Sequence, residues 1–188
     1  VSGPDVFEYS WTGSTWTRAT AASFSGANLA NVAVGAGRSD GVNRIFVNDN
    51  TPASGPCYEV SFNTVTVSWS TATVGTGATQ SVDVGVGRND GITRVYALHE
   101  AGEHTEFSWT GSTWSSTSGV GNQQGNGDLR VGDGRGDALN RIYGTSQNGL
   151  IYEFSWTGSS WTRAVVYATG TVSGHASVGN GRNDGVIR

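Results

Sequence analysis

The sequence predicts an all-β fold built from four repeated units. A glycine-rich phrase that begins Val-Gly-x-Gly-Arg occurs four times, at residues 34–44, 84–94, 131–141 and 178–188. The first glycines of successive copies are 50, 47 and 47 residues apart. An aromatic phrase separates the copies, and neither phrase has the 3.6-residue period of an amphipathic helix. Because four units of this length account for the whole chain, we expect a single repeat domain over residues 1–188.

Composition distinguishes a packed repeat from a flexible, low-complexity segment. Glycine is abundant at 29 residues and proline is scarce at 3, yet 7 Trp, 6 Tyr and 6 Phe recur at fixed places in the units. A packed core requires such aromatic side chains, whereas a disordered linker is poor in them. The single cysteine, Cys57, excludes an internal disulfide and is expected to be a buried, inert thiol.

The glycine-rich phrase predicts the first β-hairpin of each unit, strands A and B. In the second copy Val82, Val84 and Val86 alternate along an incoming strand, and the Asn-Asp-Gly at 89–91 is a tight-turn signal. Residues 93–97 then form the return strand. In the first copy the incoming strand A is predicted at Asn31 to Gly37.

The aromatic phrase predicts the second hairpin of each unit, strands C and D. In the last copy Tyr152, Phe154 and Trp156 alternate with polar residues, which is the two-residue period of a strand. A Thr-Gly-Ser turn then reverses the chain. Strand D is predicted to begin at the tryptophan after this turn, which is Trp16, Trp114 or Trp161. One unit departs from the phrase, since it lacks this turn and has its tryptophan at Trp69.

Four short antiparallel strands in about 47 residues are typical of one blade of a β-propeller. We therefore expect a propeller with strand A innermost, and with N- and C-terminal strands that share the closing blade. The spacing at this join is short, because Glu8 follows Arg188 by 8 residues, whereas Glu106 follows Arg94 by 12. Two architectures remain: a closed four-bladed ring with a shortened shared blade, and part of a larger ring completed by missing sequence or by another copy.

Charge and hydropathy limit the classes of partner. The formal net charge is -4 and no basic stripe exists, which argues against nucleic acid. No apolar run approaches the length of a membrane span, and the start of the chain lacks a signal-peptide pattern. The absence of methionine indicates a mature or trimmed form. A composition poor in Lys and rich in Gly, Ser, Thr and Trp is typical of extracellular or cell-surface proteins.

The charged residues of the two phrases predict a structural clamp within each unit. Each unit contributes two Arg, one Asp and one Glu, so these charges cancel. Arginine binds carboxylates through two parallel hydrogen bonds, and a balanced group present in every unit is expected to stabilise the blade. The clamp residues are Arg38, Asp40, Arg44, Arg88, Asp90, Arg94, Arg135, Asp137, Arg141, Arg182, Asp184, Arg188, Glu8, Glu59, Glu106 and Glu153.

The third glycine-rich copy contains two motif matches that we attribute to drift of the repeat. Arg135-Gly136-Asp137 spells a cell-adhesion tripeptide where other copies have Arg-Asn-Asp or Arg-Ser-Asp. The same loop resembles the acidic glycine loops of calcium-binding propellers. The other copies have Ala, Val or Asn in place of Asp133, however, which leaves too few oxygen ligands for calcium.

One further group of titratable residues could in principle bind a divalent metal ion. His99, Glu100, Glu103 and His104 flank the predicted B–C loop of the third aromatic copy, without a recognised metal-ligand spacing. We expect a solvated loop there. No nucleophile elbow or Ser/His/Asp set occurs, and no helix follows the glycine-rich phrase. The sequence therefore predicts no enzyme, cofactor or metal site.

Aromatic faces beside repeated polar side chains are the combination that carbohydrate-binding propellers use. In its architecture and its aromatic, glycine-rich repeat the chain resembles the lectin-type propellers of bacteria, fungi and invertebrates. The resemblance implies a non-enzymatic, multivalent module that binds glycans in shallow clefts between blades. The alternative is a structural or adhesion scaffold with a protein partner, or a subunit of a larger assembly, in which every Trp is core. The candidate ligand-binding residues are Trp16, Trp114, Trp161, Arg88, Asn89, Asn180 and Asn183.

Overall fold

The computed structural model describes residues 3–51, 55–77, 80–168, 170 and 174–179. Over these residues the chain is all-β, as the sequence predicted, with 14 strands. The strands form one two-stranded sheet and three four-stranded sheets, all antiparallel. Nothing in this part of the chain is a helix long and apolar enough to cross a membrane.

Each sheet is formed by strands that are consecutive in the sequence. The N-terminal hairpin consists of β1 (Asp5–Trp11) and β2 (Trp16–Ser23). The first sheet consists of β3 (Leu29–Gly35), β4 (Arg44–Asp49), β5 (Pro56–Asn63) and β6 (Ser68–Thr76). The second sheet consists of β7 (Ser81–Gly85), β8 (Arg94–Leu98), β9 (Glu103–Trp109) and β10 (Trp114–Asn122). The third sheet consists of β11 (Gly127–Gly132), β12 (Arg141–Ser146), β13 (Leu150–Trp156) and β14 (Trp161–Ala168).

The predicted starts of strand D are confirmed, whereas the other predicted boundaries differ by one or two residues. The predicted strand D begins at the tryptophan after the turn in β2, β10 and β14. The predicted strand A of the first copy is wrong by two residues, since β3 ends at Gly35 rather than Gly37. The N–H of Ser39 donates to the carbonyl of Ala36 at 2.7 Å, and this turn ends the strand early. Ser39 adopts a left-handed conformation with φ of 58°.

The apolar core lies between successive sheets. Between the first and second sheets, Phe46 and Cys57 contact Val95 and Phe107 in one buried cluster. Cys57 is buried as expected, and its burial raises the pKa of the thiol. The other two clusters join the second sheet to the third and the N-terminal hairpin to the first sheet. Face-to-face burial of this kind is how a sheet removes its apolar side from water.

Glycine allows the first strands of neighbouring sheets to approach each other closely. A Cβ atom on Gly35 would lie 2.7 Å from Val84 Cγ1, and one on Gly85 would lie 2.5 Å from Val131 Cγ1. Real Cβ atoms do not come this close to another carbon, so these positions require glycine. The first strands β3, β7 and β11 therefore lie side by side.

Polar side chains also link these first strands. Ser81 Oγ donates to Asp128 Oδ1 at 2.6 Å, which joins β7 to β11. The N–H of Ala176 donates to Asp128 Oδ2 at 3.2 Å. Residues 174–179 thus continue the row beside β11. The predicted closing sheet involves residues 180–188, which lie outside the described residues.

Candidate functional site

Each four-stranded sheet contains a network of two arginines and two carboxylates. In the first sheet Arg38 Nε donates to Glu59 Oε2 at 2.9 Å, and its Nη2 lies 2.8 Å from Oε1. Arg44 holds both oxygens of Asp40 at 2.8 Å and approaches Glu59 at 3.4 Å. Asp40 also accepts the N–H of Val42, which fixes the turn. Hydrogen bonds from Arg44 lower the pKa of Asp40 to about 2.

The other two sheets contain the same network. Its members are Arg88, Glu106, Arg94 and Asp90 in the second sheet and Arg135, Glu153, Arg141 and Asp137 in the third. The nearest Arg–Glu contacts are 2.8 and 2.6 Å, and the Arg–Asp contacts are 2.8 and 2.7 Å. The bound arginine lowers the pKa of Asp90 to about 2 and also lowers that of Asp137. Twelve of the sixteen predicted clamp residues therefore lie together, in three sets of four.

The fourth predicted clamp is not assembled in the described part of the chain. Glu8, in the N-terminal hairpin, is exposed and forms no ion pair with any described residue. Its three expected partners, Arg182, Asp184 and Arg188, lie outside the described residues.

A tryptophan of the following sheet covers each of the first two clamps. The guanidinium carbon of Arg38 lies 3.9 Å from the ring centroid of Trp109, and that of Arg88 lies 4.2 Å from that of Trp156. Such stacking is attractive because the ring face is electronegative. Sequence reasoning did not select Trp109 or Trp156 as site residues. The available signal was their alternation with Phe107 and Phe154, which places them on the face toward the preceding sheet.

The three tryptophans predicted to bind a ligand, Trp16, Trp114 and Trp161, have different surroundings from Trp109 and Trp156. Trp114 is half-buried and meets Phe46 edge-on at a centroid distance of 5.9 Å, and Trp161 meets Tyr96 in the same way at 6.2 Å. Their indole nitrogens are buried without a hydrogen-bond partner among the described residues. Trp16, in contrast, is exposed on the N-terminal hairpin. Packing thus occupies much of the surface of two of the three candidate rings.

Asn89 links the turns of two neighbouring sheets. Its Nδ2 donates to the carbonyl of Asn140 at 2.9 Å, and the N–H of Asn140 donates to its Oδ1 at 2.7 Å. The first sheet uses Ser39 in the same way, since Ser39 Oγ accepts the N–H of Thr93 at 3.2 Å. The polar atoms of Asn89 are therefore engaged in an inter-sheet contact. The candidates Asn180 and Asn183 lie outside the described residues.

An open cleft of about 390 Å³ lies beside the clamp of the first sheet. Its lining includes clamp charges and small polar groups, among them Arg38, Glu59, Ser61, Asn63 and Ser70. Ser61 Oγ donates to Glu59 Oε1 at 2.7 Å. Because the Glu59 carboxylate also binds two arginines, its charge is neutralised within the protein. The cleft therefore presents hydrogen-bonding groups, and Trp109 of the next sheet lies over its Arg38.

The predicted solvated loop is wrong for His104. This residue is buried in β9, where Nε2 lies 2.9 Å from Gln123 Oε1 and the ring meets Phe154 edge-on. Gln123 Nε2 donates to the carbonyl of Thr145 at 2.6 Å, so Oε1 is the acceptor for His104. Burial lowers the pKa of His104 to about 4. The error arose because His104 occupies a strand position that faces the third sheet.

Across the described ranges, no three His, Cys, Asp or Glu side chains are grouped so as to hold a metal ion. No family model matches the chain, and no curated protein has significant sequence similarity to it. The cleft and the clamps are therefore interpreted from their own geometry.

Proposed function

We propose that this protein is a non-enzymatic recognition module that binds carbohydrate in clefts between the blades of a β-propeller. The observation that carries the proposal is the open cleft beside Arg38 and Glu59, where several hydrogen-bonding groups lie near the ring of Trp109 that covers Arg38. The propeller arrangement is supported by the adjacent first strands β3, β7 and β11 and by the apolar clusters between sheets.

The chemistry of the cleft suits a sugar. A pyranose has an apolar face of C–H groups and an edge of hydroxyls that both donate and accept hydrogen bonds. Trp109 provides a ring beside Arg38, while Ser61 and Asn63 provide groups that donate and accept. Arg38 adds a guanidinium whose position is fixed by Glu59. A fixed donor loses little conformational entropy on binding.

The same groups recur in the second sheet, which supports multivalent binding. In the first sheet Ser61 follows Glu59, and Trp109 of the second sheet lies over Arg38. In the second sheet Ser108 follows Glu106, and Trp156 of the third sheet lies over Arg88. The third sheet has Ser155 after Glu153. Several weak sites on one particle increase the overall strength of binding to a surface that displays many copies of a ligand. Glycans displayed outside the cell are such a ligand, so we place the protein outside the cell or at its surface.

A structural scaffold is the second candidate. It is favoured by one observation, namely that Arg88 is already bound by Glu106 and stacked on Trp156. In a scaffold these contacts would serve only to hold the sheets together, and the cleft would remain without a ligand. The two functions can be distinguished by a substitution that fills the cleft. Such a substitution should reduce glycan binding if the protein is a recognition module and should have no effect on ligand binding if it is a scaffold.

A substitution that fills the cleft tests the proposal. Ala72 is exposed and opposes Glu59 across β5 and β6, so its side chain points into the cleft. Ala72→Trp should block this site and lower the number of sugar molecules bound per chain by one. Thr117 and Ala164 hold the matching positions opposite Glu106 and Glu153. The triple variant Ala72→Trp, Thr117→Trp, Ala164→Trp should abolish binding.

The measurement is a titration with a broad panel of simple sugars and glycans, in which binding is detected by tryptophan fluorescence and by calorimetry. The matched control is Ser14→Trp, which adds the same ring at an exposed turn of the N-terminal hairpin, outside the residues that line the cleft, and should bind as the unmodified chain does. A panel without any response would overturn the glycan proposal. Unchanged binding by the triple variant would show that the sugar binds elsewhere.

A further inference from the structure

The N-terminal hairpin exposes an aromatic face that the equivalent strands of the second sheet bury. Tyr9 holds the position of Phe107, but Tyr9 is 59% exposed and Phe107 only 1%. Trp11 and Trp16 are 55% and 66% exposed, and their rings lie 5.6 Å apart. The opposite face of the hairpin, with Val6, packs on the first sheet. One face of the hairpin is therefore covered and the other is open.

The third sheet has an open face of its own at the opposite end of the array. The side chain of Arg135 is 56% exposed, whereas those of Arg38 and Arg88 are 24% and 21% exposed. Val166 is 51% exposed, whereas Val74, at the matching position of β6, is 6% exposed. In the part of the chain that the structure describes, no sheet covers the outer part of the third-sheet face that turns away from the second sheet.

The interfaces within the chain show what each open face lacks. In each interface an arginine of one sheet lies over a tryptophan of the next, and a phenylalanine of the next sheet joins a valine of the first in a buried cluster. The arginine contacts are Arg38 with Trp109 and Arg88 with Trp156, and the cluster contacts are Phe107 with Val74 and Phe154 with Val120. Both interfaces therefore combine a cation–π contact with an apolar one.

The two open faces carry opposite halves of this interface. The hairpin has the rings, in Trp11 and Tyr9, and the third sheet has the arginine and the valine, in Arg135 and Val166. We propose that the hairpin of one chain docks head to tail on the third sheet of a second copy, with Trp11 over Arg135 and Tyr9 against Val166. This assembly does not depend on the proposed glycan site.

The structure favours a second copy over the same chain as the occupant. Tyr9 and Val166 both remain exposed in one chain, so the two faces do not cover each other. Residues 174–179 cover the inner part of the third sheet, where a Cβ on Gly132 would lie 3.1 Å from Val178 Cγ1. Arg135, at the outer part, is 56% exposed, and within the described ranges no residue stacks on it, which leaves room for the hairpin of a partner. A contact between two different faces can close into a ring when the rotation between copies allows it.

The first test is the mass of the particle formed by the chain of residues 1–188, measured by light scattering and sedimentation across micromolar concentrations. The unmodified chain should associate reversibly. A hairpin variant, Tyr9→Ser with Trp11→Ser, and a sheet variant, Val166→Glu, should each weaken association by roughly 30-fold or more, because central aromatic contacts dominate such interfaces. Val166 is exposed in one chain, so melting of the dilute sheet variant should be unchanged, whereas loss of the contact between Trp11 and Trp16 should lower the melting temperature of the dilute hairpin variant slightly.

The second test is to mix the two variants. The sheet variant retains an intact hairpin and the hairpin variant retains an intact third sheet, so an equimolar mixture should form a heterodimer that neither variant forms alone. Val65→Glu, at an exposed turn outside both faces, is the control and should associate as the unmodified chain does.

Three results would overturn the proposal. A strictly monomeric unmodified chain would exclude a second copy as the occupant. Association that persists in both variants would place the contact on other faces. Failure of the mixture to form a heterodimer would show that the hairpin and the third sheet are not partners.

Discussion

The N-terminal hairpin and the outer half of the second sheet have almost the same sequence but different surroundings. Trp11 opposes Trp16 in the hairpin as Trp109 opposes Trp114 in the sheet. Both turns are closed by a backbone hydrogen bond of 2.9 Å between two threonines. The local structure of this phrase is therefore independent of its neighbours.

The environments of the two phrases differ completely. Glu106 is buried and binds Arg88 and Arg94, whereas Glu8 is exposed. Burial and charge pairing therefore come from the glycine-rich hairpin of the same sheet and from the neighbouring sheet. Equivalent substitutions in the two phrases should separate the local contribution to stability from the contribution of these neighbours.

The largest difference is expected for the paired glutamates. Glu106→Ala leaves Arg88 and the buried Arg94 without their shared carboxylate and should lower the free energy of unfolding by about 3–5 kcal/mol. Glu8→Ala removes an exposed carboxylate and should change it by less than about 0.5 kcal/mol. Urea denaturation of both variants measures the difference. Equal losses would show that Glu106 acts through strand formation and not through its arginines.

A second difference concerns His104, because the matching residues in the hairpin and the other sheets are Val6, Cys57 and Ile151. His104 Nδ1 is buried without a partner among the described residues, so a proton there would find no acceptor. Burial lowers the pKa of His104 to about 4, whereas the pKa of histidine in the unfolded chain is about 6.5.

The unfolded chain therefore binds more protons at this residue between the two pKa values. Stability should be constant above about pH 6.5 and should fall, by up to about 3 kcal/mol, as the pH drops toward 4. The clamp residues Asp40 and Asp90 titrate lower, since their pKa values are about 2, and their contribution is lost only at more acid pH. Urea denaturation across this range measures the slope. His104→Val should remove most of the slope, and an unchanged slope in this variant would assign it to other groups.

The sequence could predict local features and not the contacts between sheets. Strands β10 and β14 begin where alternation and the turn residues placed them, because both signals act within a few residues. The pair of Asp90 and Arg94 was accessible for the same reason, since the residues are four apart. Alternation with Phe107 indicates the face on which Trp109 lies, but its contact with Arg38 was not accessible, because this contact depends on the position of the first sheet. His104 was misjudged because its polarity suggested solvent, while its environment is set by Gln123, 19 residues away.

The smallest expected effect separates the clamps of the second and third sheets. Arg88 and Arg135 have similar ion pairs, at 2.8 and 2.6 Å, but among the described residues of one chain a ring lies over Arg88 and not over Arg135. A double-mutant cycle of Arg88→Ala with Trp156→Leu cancels the cost of leaving Glu106 with one arginine fewer, because both arms of the cycle contain it. The coupling should be about 0.5–1 kcal/mol, the strength of a partly exposed cation–π contact.

The matched cycle combines Arg135→Ala with Trp11→Leu. In dilute solution these residues belong to faces that do not meet, so their coupling should be zero within error. At concentrations where the chain associates, Trp11 of one copy should cover Arg135 of the next, and the coupling should rise toward that of the first cycle. A coupling that is already present in the dilute monomer would mean that the two faces meet within one chain, and the difference between the two clamps would then disappear.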